Sequence, residues 1–198
     1  EVPSPFNKQF HPRPKYRYRY LRQKASNAEI KEIQQTAIEP LLQFASETNA
    51  LLQNYYELHE KYLIRTRGKS KKLLSELLYS LQITALRAEH RANVLIYLLS
   101  KRQAELNHTQ VRNNALEHAV NIRAEAMQIV RNQEENYRYD VENIARKRVG
   151  HTAYHFGYLY PASELHFWHR EEEQVRHDKY NPLFLNIWHI RRVAGFKD

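Results

Sequence analysis

The chain has 198 residues, a formal net charge of +9, no cysteine and four glycines. That composition excludes a disulfide framework, a thiolate metal site and a cysteine nucleophile, and it leaves too little glycine for phosphate-cradling loops. An apolar content of 42% gives the chain surface to bury, yet its longest apolar run, Val94 to Leu99, is far short of the ~20 residues that cross a bilayer as a helix, so no membrane span is expected.

Residues 1–25 hold four of the seven prolines and the run Lys15-Tyr16-Arg17-Tyr18-Arg19-Tyr20. Proline fixes φ and removes a donor, so this stretch is expected to be an extended basic and aromatic arm laid on a partner. Alternating Arg17, Tyr18, Arg19 and Tyr20 suits an acidic groove on another protein subunit. Residues 13–24 equally allow contact with RNA, through phosphate pairing and base stacking. The chain starts at Glu1 with no apolar signal core, which fits a mature protein whose targeting peptide has been removed.

Residues 26–67 open on Ser26 and Glu29, spaced as a capping box, and a helix should follow. Pro40 is expected to break it. Beyond the proline, Leu41, Phe44, Leu51, Leu52, Tyr55, Leu58 and Tyr62 recur at helical spacing as far as Gly68, a natural stop.

Residues 69–149 contain no glycine and no proline. Both residues cost free energy inside a helix, about 1 and about 3 kcal/mol, so their absence makes helix the natural state of the segment. As one straight helix it would be roughly 120 Å long; the alternative is a hairpin of two helices. With Leu74, Leu81 and Leu95 at position a, and Leu78 and Leu99 at position d, a seven-residue apolar repeat runs the length of the segment. The single long helix is the primary expectation. Between Leu73 and Leu99 the apolar stripe widens until more than one neighbour is needed to bury it. After Ser100 it narrows to one seam, interrupted by Arg102, Thr109 and Asn113, and a turn near Asn107 to Thr109 is the place where a hairpin would fold.

Residues 150–198 hold both tryptophans and six of the 11 histidines. Ser163 and Glu164 mark one helix start and Pro182 a second, and Trp168, Phe184 and Trp188 are candidate docking residues. His169, Glu173 and His177 stand at one-turn spacing that suits a metal, but no His-Glu-x-x-His motif supports it, so polar surface histidines are expected and no metal or other cofactor. No Gly-x-Ser-x-Gly turn or phosphate loop occurs, and no enzymatic activity is expected.

The stretch Gln110-Val111-Arg112-Asn113-Asn114-Ala115-Leu116-Glu117 resembles part of the peripheral-stalk subunit b of mitochondrial ATP synthases. The likeness covers some 40 residues at most and centres on Arg112 and Asn113. The chain departs from that family in lacking membrane-spanning helices ahead of the rod. The resemblance implies a stator element on the matrix side of the inner mitochondrial membrane, in contact with other protein subunits. The sequence thus points to an all-α, non-catalytic structural subunit of a large mitochondrial assembly, a coiled-coil-like helix or helical hairpin with an N-terminal arm and a small helical C-terminal region. A mitochondrial ribosomal or other RNA-binding structural protein is the alternative, and a coiled-coil adaptor a third.

Overall fold

A computed structural model describes residues 18–63, 67–111, 114–134 and 165–177, and among these the secondary structure is helical, with no strand. The helices are α1 (Tyr18–Gln23), α2 (Asn27–Ile33), a π-helical turn (Gln34–Ile38), α3 (Glu39–Leu63), α4 (Lys69–Leu106), α5 (Ala115–Glu134) and α6 (His166–His177).

The tail of the expected extended arm is itself helical. Tyr18 to Gln23 form α1, and Leu21 and Ala25 are buried against the middle of α4. The extended reading fails there because the last proline of the arm, Pro14, lies four residues before α1, and Leu21 supplies an apolar anchor. Residues 1–17 lie outside the described residues.

Ser26 caps α2 as its spacing predicts. Its hydroxyl accepts from the Glu29 amide at 3.3 Å, the Glu29 carboxylate accepts from the Ser26 amide at 2.8 Å, and both arms of a capping box are present. Pro40 does not break the helix that follows. The chain widens into a π-helical turn just ahead of the proline, where the Glu39 amide donates to the Gln34 carbonyl, five residues back. Proline lacks an N–H and its ring crowds the carbonyl four residues earlier. The wider turn absorbs both problems. The helix therefore continues from Asn27 to Leu63, with Ile33, Ile38, Ala45 and Leu52 on its buried side.

Gly68 sits between α3 and α4 at φ +61°, ψ −131°, a conformation that glycine adopts freely. After it α4 runs 38 residues and then stops, so the single helix over 69–149 is not formed. Asn107 caps its C-terminus and His108 turns into the left-handed region at φ +53°. The Thr109 amide donates to the Ala104 carbonyl at 2.8 Å and the His108 amide to the Glu105 carbonyl at 3.3 Å, the paired bonds of a Schellman stop. Absence of glycine hid this end, because histidine occupies the position that glycine usually takes.

The second half of the segment returns as α5, antiparallel to α4. Leu116 and Ala119 pack with Leu95 and Leu98, whereas Ile122, Ala126 and Ile129, further on, pack with Leu86 and Ile83, further back. On α5, Ala119 and Ala126 are fully buried in this contact. Such small side chains let two helices approach closely.

The helix α4 is the axis of the fold, with α3 and α5 along it and α1 and α6 against its second half. The expectation that Leu73 to Leu99 needs several neighbours holds for Ala85 to Leu98, where Val94 and Leu98 meet residues from α1, α2, α5 and α6. It fails for the first turns of α4. Leu73, Leu77 and Leu81 remain exposed although α3 runs along α4 and Leu78 is buried.

Candidate functional site

The most unusual chemistry in the fold is a buried ionic junction where α1, α4, α5 and α6 meet. Four charged or titratable residues on one stretch of α4, Arg87, His90, Arg91 and further along Lys101, point towards α6, and α6 answers with Glu171 and Glu172.

Glu172 is 1% exposed and serves two partners through Oε1. His90 Nε2 lies 3.0 Å away, and Arg123 Nε, from α5, donates at 2.8 Å. His90 is itself fully buried, and its Nδ1 lies 3.1 Å from Arg87 Nη1. A guanidinium only donates, so Nδ1 accepts and the ring proton sits on Nε2, where it donates to Glu172. Burial pushes the Glu172 carboxyl upward, but the hydrogen bonds from His90 and Arg123 outweigh it and hold the group below the usual carboxylate range.

Glu171 makes a second, parallel clasp. Its Oε1 accepts from Arg91 Nη1 at 2.6 Å and from Arg87 Nη2 at 2.9 Å, and its Oε2 pairs with Arg87 Nη1 at 2.8 Å, a two-pronged guanidinium contact. Here too burial acts upward and the two arginines prevail, so the carboxyl is held low. Arg91 also donates to the Tyr18 hydroxyl and lies over the Tyr18 ring, 5.1 Å from its centroid. Burial and the nearby Glu171 charge raise the Tyr18 hydroxyl well above its ordinary value. Trp168 closes the junction. It is buried, tilted against the His90 ring at 5.0 Å, and covered by the Arg87 guanidinium at 5.1 Å.

About three turns further along α4, two adjacent cations cap two helices. Arg102 donates to the carbonyls of Leu21, Arg22 and Ala25 at 3.2, 2.8 and 2.5 Å, and Lys101 donates to those of Val175 and Arg176 at 3.0 and 2.9 Å. The last carbonyls of a helix lack intrahelical partners and carry the negative end of its dipole, so a cation there answers both needs. The polar interruption read at Arg102 is thus a fastening for α1.

Both glutamates pair with arginines within the chain, and the histidine is locked between two partners. This arrangement clamps helices; it offers no base or nucleophile facing an open cleft. His169 and His177 make pairs with Glu172 and Glu173 at 3.6 and 3.4 Å, and among the described residues no three such side chains stand close enough to hold a metal.

The expected docking residues divide sharply. Tyr18, Tyr20, Leu78, Leu95, Leu99 and Trp168 are engaged inside the chain, Tyr20 through a 2.8 Å hydrogen bond to the same Glu29 that caps α2. Leu74 is half-buried and Leu81 exposed. Arg17, Arg112, Asn113, Phe184 and Trp188, and the side chain of Arg19, lie outside the described residues, and α5 begins only at Ala115, within the stretch that resembles subunit b.

Exposed large apolar side chains lie elsewhere, on α3 and the start of α4. Phe44, Leu51, Leu58 and Tyr62 are exposed along one side of α3, and Leu73, Leu77 and Leu81 along α4. Large apolar groups aligned in this way are characteristic of contact faces. The pattern on α3 is legible in the sequence as helical periodicity. The ionic junction was missed, although charged Arg87, His90 and Arg91 inside the most apolar stretch of α4, and an acidic run Glu171 to Glu173 beside Trp168, were its signal. No family model matches the chain, and neither a curated protein nor a solved structure matches it.

Proposed function

We propose that this chain is a non-catalytic scaffold of a multi-subunit assembly: a helical hairpin, clamped by its ionic junction, that presents apolar helix faces to other protein subunits. The observation that carries the reading is the exposed row Phe44, Leu51, Leu58 and Tyr62 on α3, beside Leu73, Leu77 and Leu81 on α4. A chain that buries charge in its middle and leaves leucines outside has arranged its surface for neighbours.

The finer reading is a peripheral-stalk or accessory subunit of mitochondrial ATP synthase, and it rests on the short resemblance around Arg112-Asn113-Asn114. The folded hairpin gives such a subunit a stout body in place of a thin rod. Affinity purification of the tagged chain from its native cells under mild detergent, followed by cross-linking and mass spectrometry, tests both levels. The scaffold reading expects a defined set of protein subunits cross-linked to Lys61, Lys69, Lys71 and Lys72, beside the apolar rows; recovery of the chain alone contradicts it. The stator reading expects subunits of a rotary ATPase in that set, and a different assembly contradicts it while leaving the scaffold reading in place.

A further inference from the structure

The turn between α3 and α4 concentrates one sign of charge. Residues 61–75 hold six cations and no carboxylate, and Lys61, Arg67, Lys69, Lys71 and Lys72 are exposed. The turn opens outward, since a side chain added at Gly68 would meet nothing within 4 Å.

Leucines stand beside these cations. Leu73, Leu77 and Leu81 recur every four residues along α4 and are 38%, 49% and 46% exposed. Tyr79, Ile83 and Leu86, on another side of the same turns, pack into the cluster shared with α5 and α6. On α3, Leu58 is 48% exposed. The Tyr56 hydroxyl donates to Gln82 Oε1 at 3.2 Å, which brings this part of α3 level with the first turns of α4. Measured from the buried Leu52 and Leu78, Leu58 and Leu77 lie about 120° and about 100° back around their helices. In an antiparallel pair, the same sense of rotation on each helix leads to the same side. The leucines therefore share one face at the charged tip of the hairpin.

Lysine and leucine together identify the occupant. A nucleic acid would use the cations but has no aliphatic surface for the leucines. Protein contact faces are depleted in lysine, and four of the six cations are lysines. An anionic bilayer takes both: aliphatic side chains enter the boundary between headgroups and acyl chains, and cations meet the lipid phosphates. We propose that this tip rests on an anionic phospholipid surface, with Leu58, Leu73 and Leu77 inserted and Arg67, Lys69 and Lys71 at the headgroups. The contact is peripheral, since no described helix is long and apolar enough to cross a membrane.

This inference goes beyond the scaffold reading: of the exposed apolar rows, the tip goes to lipid, and Phe44 and Leu51, further from the turn on α3, stay for protein subunits. Its test is separate. The full chain is sedimented with vesicles of phosphatidylcholine, alone or with about one third phosphatidylglycerol. It should bind the anionic vesicles only, and less tightly as salt rises. Arg67→Gln with Lys71→Gln should weaken binding roughly thirtyfold. Leu73→Ser with Leu77→Ser should weaken it roughly tenfold, with no change of charge. Phe44→Ser with Leu51→Ser should leave it unchanged. All six sites are exposed, and unchanged helical circular dichroism verifies that the variants fold. Absence of binding overturns the proposal. So does binding that ignores the leucine pair at the tip, which would mark a phosphate-binding surface suited to RNA or attachment through residues 13–24. Equal loss with the Phe44 and Leu51 pair overturns it as well. A chain that ignores vesicles yet recovers its subunits sinks the lipid contact alone and leaves the scaffold reading standing.

Discussion

His90 Nε2 and Glu172 Oε1 lie 3.0 Å apart, 82 residues distant in sequence, with the histidine fully buried and the glutamate 1% exposed. This contact ties α6, a helix of 12 residues, to α4 alongside the apolar burial of Trp168 and Val175. Desolvating the pair is costly, and the return depends on every remaining lone pair and proton being met. Arg123 donates to Glu172 and Arg87 to His90 Nδ1, while Arg91 holds the neighbouring Glu171.

Replacing Glu172 by Gln keeps the shape but removes the charge, leaving Arg123 buried without its carboxylate. Breaking a buried pair from one side costs about 3–5 kcal/mol. Urea unfolding followed by circular dichroism should show a loss of that order, together with faster proteolysis at the α6 segment.

Acid should loosen the same junction. Glu171 and Glu172 are both held below the ordinary value of 4.5, so on lowering the pH the unfolded chain takes up their protons first. Their contribution is fully present above about pH 4.5 and is lost as the pH falls through the lower, folded values. Urea midpoints measured from pH 7 to pH 3 should fall below pH 4.5, and the Glu172→Gln variant should show a shallower acid limb than the wild type.

Arg102 holds the end of α1 through three carbonyls. The Arg102→Met variant keeps the apolar stem and removes the donors, and hydrogen bonds to a charged group are worth about 1.5–3 kcal/mol. The expected result is a stability loss in that range, with amide exchange accelerated chiefly in residues 18–25. Uniform acceleration across all helices would show that Arg102 has no special hold on α1.

His108 adopts a positive φ at the end of α4. Glycine carries no penalty there, so His108→Gly should stabilise the hairpin by roughly 0.5–1 kcal/mol. The opposite sign would mean that the His108 side chain contributes more than its backbone costs.

What could be read from the sequence was local. The capping box at Ser26 and Glu29 and the stop at Gly68 follow from short-range rules and are present, and the broad burial expected over Leu73 to Leu99 is present from Ala85 onward. Pro40 misled because propensity alone does not foresee a π-helical turn that absorbs a proline. The long-helix reading failed for a related reason. A seven-residue repeat persists whether the chain continues or folds back, since both halves of an antiparallel pair need the same apolar spacing. The ionic junction joins residues 49 to 84 positions apart, and no spacing rule connects His90 with Glu172.

The folded hairpin is the claim on which the scaffold rests, and a single distance tests it. The native chain has no cysteine, so nitroxides can be placed uniquely at Ser80→Cys on α4 and Asn132→Cys on α5, both exposed. Neighbouring helix axes stand 8–10 Å apart, so double electron–electron resonance should give a distance on the order of 20 Å. A value near 78 Å, the rise of a continuous helix over those positions, would contradict the hairpin and restore the rod.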